Sequence, residues 1–260
     1  MKAVSMRDEK KILEALEAPG VVIDATDAHG NTPLNYACAM GVSEEIILKM
    51  IDMGASCKIA NKNGAMPLNH AVYSRREFIM YSMEEIMRYD LTNISSIVSP
   101  NVLKAIAKAG GDVNYQNESG GTALQVACIC KAGLEAIQCL IDDLGADPDL
   151  ANHHGNTPLM FAIRNHNDMD VVTYLCKKAQ NINAQTTKDE PKYPGFTALH
   201  FAAGEHMPAH AAILITNGAK TEITNEEGFT ALQLADEKTK TAMFVSHNLS
   251  KPLIMVRTNI

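Results

Sequence analysis

The segment Gly155-Asn156-Thr157-Pro158-Leu159-Met160-Phe161-Ala162 decides the fold, because five other segments of the chain share its pattern. Each copy begins with glycine, has leucine at its fifth position and ends with alanine at its eighth. The copies begin at Gly30, Gly64, Gly120, Gly155, Gly195 and Gly228. Three of the five steps between them are 34, 35 and 33 residues, which predicts an array of repeats with one period. The remaining steps, 56 and 40 residues, indicate insertions.

The residue types in each copy suit a tight turn followed by a helix. Glycine supplies the positive φ that the turn needs, threonine is a preferred N-cap residue, and proline is favoured in the first helical turn. Leu159 and its equivalents are expected to begin the buried face of that helix. Ala162 and its equivalents are small enough to let neighbouring helices approach closely.

A period near 33 residues with a Thr-Pro-Leu-His-x-Ala core resembles the ankyrin repeat, a β-turn followed by two antiparallel helices. The resemblance covers about residues 27–245 and implies an all-α solenoid of six helix-turn-helix repeats with β-hairpin-like turns. Only His200 retains the family's usual histidine, which bonds between repeats. The equivalent positions hold Asn35, Asn69, Gln125, Met160 and Gln233. That bond is therefore expected to be replaced by an amide or lost.

The chain divides into three predicted parts. Residues 1–26, with an amphipathic helix over 6–18, resemble a degenerate N-terminal capping repeat. The repeat domain spans 27–245 and contains a helical insert at about 74–99 and a polar insert at about 186–193 that lengthens one turn. The second helix of the sixth repeat, around 240–245, is predicted to be short, as in a capping unit. The tail 246–260 includes the apolar run 252–256, which either folds back or continues into further chain.

Composition narrows the class of partner. The net charge is -7, the pI is about 5.7 and no run of Lys or Arg exceeds two residues, which argues against a nucleic-acid partner. A neutral or basic protein or peptide fits better. No apolar run approaches the length of a membrane span, and residues 1–11 lack the apolar core of a signal peptide. We therefore expect an intracellular, cytoplasmic monomer.

Cysteine and histidine are the residue types that could supply metal ligands here. The six cysteines lack the spacing of a zinc site, and we expect buried, reduced thiols. His206 and His210 have the spacing of a helical metal pair, but Pro208 interrupts the helix that would align them. His153 and His154 are expected at the surface of a turn. We therefore expect neither a metal nor a cofactor.

Two further residues have alternative interpretations. His70 occupies a position that is apolar or aromatic in the other copies, so it is expected to be a hydrogen-bonded, partly buried residue. Asn114, in Gly111-Asp112-Val113-Asn114, resembles the position that asparaginyl hydroxylases modify in some ankyrin proteins. The simpler interpretation is a turn residue that bonds its own backbone.

No catalytic motif occurs in the sequence, so we do not expect an enzyme. The first hypothesis is a non-catalytic protein-interaction module, an adaptor, targeting domain or scaffold. The second is the recognition part of a larger regulator, or of a pathogen effector acting in a host cytoplasm, with any enzymatic domain outside this chain. A stand-alone enzyme is the third.

The resemblance also implies where a partner binds, because ankyrin contacts come mainly from the turn tips and the exposed end of each first helix, on the concave face. Large or apolar side chains at these offsets are the candidates, since aromatic residues and methionine are enriched at interfaces. The predicted partner-binding residues are His29, Met40, Tyr73, Ile129, His153, His154, Arg164, Asn165, Tyr193, Phe196 and Phe229.

Overall fold

The computed structural model describes residues 2–5, 8–72 and 99–250. Three predicted features therefore lie outside the described residues: Tyr73, the 74–99 insert except for its last residue, and the apolar run 252–256.

Within these ranges the chain is helical. The helices are α1 Lys2–Ser5, α2 Glu9–Leu16, α3 Pro33–Met40, α4 Glu44–Asp52, α5 Pro67–Ala71, α6 Pro100–Lys108, α7 Ala123–Ile129, α8 Leu134–Gln138, α9 Pro158–Arg164, α10 Met169–Lys178, α11 Ala198–Gly204, α12 Pro208–Thr216, α13 Ala231–Leu234 and α14 Glu237–Ser250. Among the described residues no strand is formed, and Thr224 pairs with Thr230 in an isolated antiparallel bridge. The predicted all-α class is confirmed.

The chain forms two compact units, Met1–His153 and His154–Ile260. The first contains α1 to α8 and the second α9 to α14. In both units the helices that begin at the repeated segments pack side by side, as α3 does with α5 and α11 with α13. First helices also pack on second helices, as α3 does on α4 and α11 on α12.

The first helices begin where the repeated threonine predicts. Its hydroxyl oxygen accepts a hydrogen bond of 3.1 to 3.4 Å from the amide three residues later, which satisfies one helix donor that lacks an intrahelical acceptor. The threonines that do this are Thr32, Thr122, Thr157 and Thr197. In the second copy Met66 replaces threonine, and the Asn69 side-chain oxygen instead accepts from the Met66 amide at 3.0 Å.

The repeated leucines form the core of each unit. Leu34, Leu68 and Leu124 are fully buried in the first unit, as are Leu159 and Leu199 in the second. Leu232, in the sixth copy, is only half-buried. The terminal repeat is therefore less well covered than those before it.

Helix α2, near the N-terminus, packs on the first repeat. Helix α2 lies within the predicted range 6–18, buries Ile12 and Leu16, and packs on α4. A carboxylate oxygen of Glu9 accepts from the Ser43 amide at 2.9 Å, so it also covers the start of α4.

The amide replacement predicted for the repeat histidine occurs in part. His200 places Nε2 3.1 Å from the Phe229 carbonyl oxygen. Gln125 also bonds the next repeat, but at another position, with Nε2 donating to the Leu150 carbonyl at 2.6 Å. Asn35 instead accepts a hydrogen bond from the Thr32 hydroxyl within its own repeat.

Two second helices differ from the regular pattern. Helix α8 continues into a π-helical turn, Cys139–Asp143, which the sequence did not predict. The prediction of a short last helix around 240–245 was wrong, because α14 has 14 residues and packs on α12. The sequence of α14 is mostly polar, so it does not indicate the buried side to which Met243 belongs.

The turns that lead into the repeated glycines, termed fingers, are joined to one another through the backbone. In the first unit the Lys62 amide donates to the His29 carbonyl at 2.9 Å, and in the second the Thr187 amide donates to the His154 carbonyl at 2.9 Å. The repeated glycines have φ between 71° and 82°. Each finger therefore contacts the next one closely at a position where only glycine fits without strain.

Beyond the fingers, an asparagine also links consecutive repeats. The Asn114 side-chain oxygen accepts from the Asp147 amide at 2.8 Å, and its Nδ2 donates to the Gly145 carbonyl at 3.1 Å. Asn183 binds Lys220 and Gly218 in the same way. The prediction that Asn114 bonds its own backbone was wrong, because its side chain bonds the backbone of the following repeat.

One carboxylate joins the part of the chain before the long insertion to the part after it. Glu44, at the start of α4, accepts a hydrogen bond of 2.5 Å from the Ser99 hydroxyl and one of 3.1 Å from the Asn101 side-chain Nδ2. Glu44 is thereby held at the start of α6, although it lies 55 residues before Ser99 and 57 before Asn101.

The predicted reduced, buried thiols are confirmed for all six cysteines, which are free and buried. Burial raises the pKa of the Cys176 thiol to about 12, and it also raises the pKa of Cys38 and Cys128. These thiols are therefore protonated and unreactive at neutral pH.

Candidate functional site

The predicted partner-binding residues differ in their exposure. In the first unit His29 and His153 are exposed on fingers, whereas Met40 and Ile129 are half-buried at the ends of α3 and α7. In the second unit His154 and Phe229 are exposed, and the rest are half-buried: Arg164, Asn165, Tyr193 and Phe196.

Three aromatic rings of the second unit form a cluster, defined by Tyr193, Phe196 and Phe201. Each pair of ring centroids is 5.2 Å apart, and the Tyr193 and Phe201 planes meet at 78°. These are favourable edge-to-face and tilted arrangements. Tyr193 and Phe196 come from the finger and Phe201 from α11, so the cluster joins a finger to a first helix.

Arg164, at the end of α9, lies against this cluster. Its guanidinium carbon is 5.1 Å from the Tyr193 ring centroid and 5.0 Å from that of Phe201, within the range of a cation–π interaction. Its Nη1 also donates to the Asn156 side-chain oxygen at 3.2 Å. Three predicted residues, Arg164, Tyr193 and Phe196, are thus brought together in one place.

A buried carboxylate holds Tyr193 in the cluster. Glu190 is only 8% exposed, and its Oε2 accepts hydrogen bonds from the backbone amides of Lys192 and Tyr193. Thr186 closes the same finger, because its hydroxyl donates to the Tyr193 carbonyl and accepts from the Phe196 amide at 2.8 Å. The insert predicted at 186–193 is therefore a folded finger with a buried side.

His200 lies beside the cluster in its neutral form. Its Nδ1 accepts a hydrogen bond of 3.1 Å from the Thr197 amide, so Nε2 carries the proton and donates to the Phe229 carbonyl. Burial lowers the pKa of His200, partly offset by the bond to Phe229. The imidazole is thus a fixed structural donor that adds no charge to the site.

A pocket of about 280 Å³ opens beside the cluster. Its lining consists of Tyr193, Phe196, His200, Phe201, Gly204, Glu205 and Leu234. Most of these residues are apolar or aromatic, and Glu205 supplies a carboxylate. The Glu205 carboxylate lies 3.6 Å from His166 Nε2, and both side chains remain substantially exposed, at 38% and 56%.

The remaining predicted residues of this unit have structural roles as well. Asn165 donates from Nδ2 to the Phe161 carbonyl at 2.9 Å and so caps the end of α9. Phe229 is 43% exposed, while its amide is held by the Asn225 side chain at 2.9 Å. Its ring is thus presented to solvent by a fixed backbone.

Two residues of the site were missed by sequence reasoning. Glu190 was counted only as part of a polar insert, and Glu205 was not singled out. The offset of Glu205 from its own glycine is one more than that of Arg164, which could have indicated the same helix end.

The histidine pair does not form a metal site. Helix α12 begins at Pro208, His206 lies before it with φ of 56°, and His210 Nε2 bonds the Asn167 carbonyl at 3.1 Å. Over residues 2–5, 8–72 and 99–250, no group of three or more potential ligands is close enough to hold a metal ion. The same part of the chain has no helix long and apolar enough to span a membrane.

Comparison with known proteins agrees with the repeat geometry. The family described as ankyrin repeats (3 copies) matches residues 94–186. The chain contains ankyrin repeats. The ankyrin-repeat domain of human ASB11 superposes with a TM-score of 0.69 at 19% identity, over 94% of this chain and 96% of that domain, which supports the fold alone.

Two relatives of this ankyrin-repeat chain are larger proteins. Human B-cell lymphoma 3 protein is 32% identical over 85% of this chain and 50% of its own length. A probable E3 ubiquitin-protein ligase, XBOS34, of Oryza sativa subsp. japonica is 36% identical over 48% of this chain and 20% of its own length. The chain thus spans half or less of the length of these relatives.

Proposed function

We propose that this chain is a non-catalytic protein-interaction module, an adaptor or scaffold that binds a protein or peptide segment on its concave face. That face comprises the finger tips and the exposed ends of the first helices. Ankyrin repeats are protein-interaction modules, which supports the general class. The cytoplasm is the compartment we propose for it.

The observation that carries the proposal is the cluster of Tyr193, Phe196 and Phe201 with Arg164 beside it. Aromatic and arginine side chains dominate the energetics of protein interfaces. Tyr193 and Phe196 are still half-exposed, and the finger that carries them is held by hydrogen bonds to the Glu190 carboxylate. A partner that covers these rings would therefore lose little conformational entropy of the site.

A second candidate is the recognition part of a larger regulator or effector, with any enzymatic domain outside this chain. The observation that favours it is length, because the chain spans 20% of the rice ligase and 50% of human B-cell lymphoma 3 protein. Both candidates assign binding, and not chemistry, to the ankyrin repeats.

The test is a quantitative affinity capture that compares Tyr193→Ala with the unmodified chain. Tyr174→Ala is the matched control, because Tyr174 is a half-buried tyrosine on α10, the second helix of a repeat. We expect specific partners to be retained by Tyr174→Ala and lost from Tyr193→Ala, with both variants folded by circular dichroism. Equal recovery on Tyr193→Ala would place the binding surface elsewhere.

A further inference from the structure

The pocket beside the aromatic cluster combines an apolar wall with one exposed carboxylate. Tyr193 and Phe196 contribute half-buried rings, Leu234 and Gly204 complete the apolar surface, and Glu205 contributes the charge. A ligand group that fits needs an apolar portion to contact the rings and a polar end to meet Glu205. Long side chains with a charged end have this form, since they bury their methylene stems and keep the charge near water.

Glu205 is the charged side chain of the pocket lining, and it favours a cation at that end. Between residues 194 and 250 the sequence also has more carboxylates than lysines, six against three. The carboxylates are Glu205, Glu222, Glu226, Glu227, Asp236 and Glu237, and the lysines are Lys220, Lys238 and Lys240. His200 adds no positive charge, because its Nδ1 accepts from the Thr197 amide. An anionic group in the pocket would meet Glu205 without a compensating cation in the lining.

The cluster already binds two cations of the chain itself, Arg164 and Lys192, whose Nζ lies 5.0 Å from the Tyr193 ring centroid. Arg164 places its guanidinium carbon 5.0 Å from the Phe201 centroid, which demonstrates that these ring faces accept a cation. Arg164 is absent from the pocket lining, so its charge does not occupy the pocket itself. The guanidinium is also oriented towards Asn156 by its hydrogen bond.

We propose that this pocket receives a lysine or arginine side chain from a basic segment of the partner protein, with the stem on Tyr193 and Phe196 and the charge at Glu205. The inference rests on the proposed function and deepens it, because it specifies the chemistry of the partner. It also agrees with the acidic balance of the chain as a whole, which carries a net charge of -7.

The test uses three small probes in place of the unidentified partner: N-acetyl-lysine methylamide, its norleucine analogue and its glutamate analogue. Binding is followed by ¹H–¹⁵N NMR on the full chain at the amides of Gly204 and Glu205. We expect the lysine probe to bind about threefold or more tightly than the norleucine probe, the range of an exposed cation–π contact. The glutamate probe is expected to bind most weakly.

Two substitutions separate the local carboxylate from net charge. Glu205→Gln is expected to weaken the lysine probe about threefold and to leave the norleucine probe unchanged. Glu45→Gln removes the same charge from exposed Glu45 on α4 of the other unit and is expected to change neither. His166→Ala frees the Glu205 carboxylate and should leave lysine binding equal or stronger.

Equal binding of the lysine and norleucine probes, preference for the glutamate probe, or no shift with any probe would overturn the inference. Equal loss of lysine binding in Glu205→Gln and Glu45→Gln would also overturn it, because the effect would then be one of net charge. The proposed function fails separately, when Tyr193→Ala captures the same partners as the unmodified chain.

Discussion

The backbone nitrogen of Thr187 would lie only 2.8 Å from a Cβ atom added to Gly155, so the finger of the fifth repeat leaves no room for a side chain there. Gly155 has φ of 74°. The finger that contains it is also joined to the next finger by the hydrogen bond from the Thr187 amide to the His154 carbonyl. Gly228, in the last copy, has φ of 82° but no atom of the described residues within 4 Å. Gly155, inside the array, is therefore required both by its φ and by the neighbouring backbone. Gly228, in the last copy, is required by its φ alone.

We predict that Gly155→Ala destabilises the second unit more than Gly228→Ala does. Both substitutions place a Cβ in a left-handed conformation, which costs roughly 1 to 2 kcal/mol. Only Gly155→Ala must also displace the neighbouring backbone, so we expect at least about 1 kcal/mol more in the free energy of unfolding. Urea titrations of the two variants measure the difference, and equal losses would show that the fingers do not constrain each other.

Leu159→Ala is expected to lower the free energy of unfolding by roughly 2 to 5 kcal/mol, because Leu159 is fully buried and its removal leaves a cavity. Leu232→Ala should cost less, since Leu232 is half-buried in the sixth copy. The measurement is the same denaturant titration. A larger loss at Leu232 would contradict a less well covered terminal repeat.

His70 should make stability depend on pH below neutrality. Burial lowers the pKa of His70 to about 4, so the unfolded chain binds more protons than the folded one between about pH 6.5 and 4. The free energy of unfolding is therefore unaffected by His70 above about pH 6.5. It falls as the pH falls towards 4, by about 3 kcal/mol at most.

The variant His70→Val removes this titration, and Val126 occupies the equivalent position in the next copy. Its free energy of unfolding should fall less steeply over the same pH range, measured by urea titration at each pH. Identical slopes for both proteins would mean that His70 does not titrate as its burial requires.

Glu190→Ala should loosen the finger that presents Tyr193. The substitution removes the acceptor of two backbone amides, and hydrogen bonds to a charged group contribute about 1.5 to 3 kcal/mol. Asp189→Ala, at the exposed neighbouring position, is the matched control and is expected to change stability by less than about 0.5 kcal/mol. Faster amide exchange at Phe196 in Glu190→Ala alone is the corresponding local measurement, and unchanged exchange would contradict the role of Glu190.

The parts of the fold that depend on local geometry could be predicted from sequence. The glycine turn, the threonine cap and the buried leucine each act within eight residues, so each copy of the pattern carries its own structure. Helix α14 was underestimated because its partner α12 supplies the apolar surface that its own sequence lacks. Helix length there depends on packing and not on propensity.

The candidate site was predictable only in part for the same reason. The offsets from each glycine identified Arg164, Tyr193 and Phe196 as surface residues. Their convergence depends on contacts between residues about 30 positions apart, such as Arg164 over Tyr193. The role of Glu190 depends on how one finger folds back on its own amides, which no period in the sequence encodes.

The pair of hydrogen bonds at Glu44 has a consequence for how the array tolerates insertions. Most links between consecutive repeats join residues about 30 to 40 positions apart, as between Asn114 and Asp147, whereas Glu44 and Ser99 are 55 apart. Because the entropic cost of loop closure grows only with the logarithm of loop length, bringing the ends of this longer segment together on folding costs only about 0.5 kcal/mol more. A repeat protein of this kind can therefore acquire a new surface element between its helices at almost no thermodynamic cost to the array.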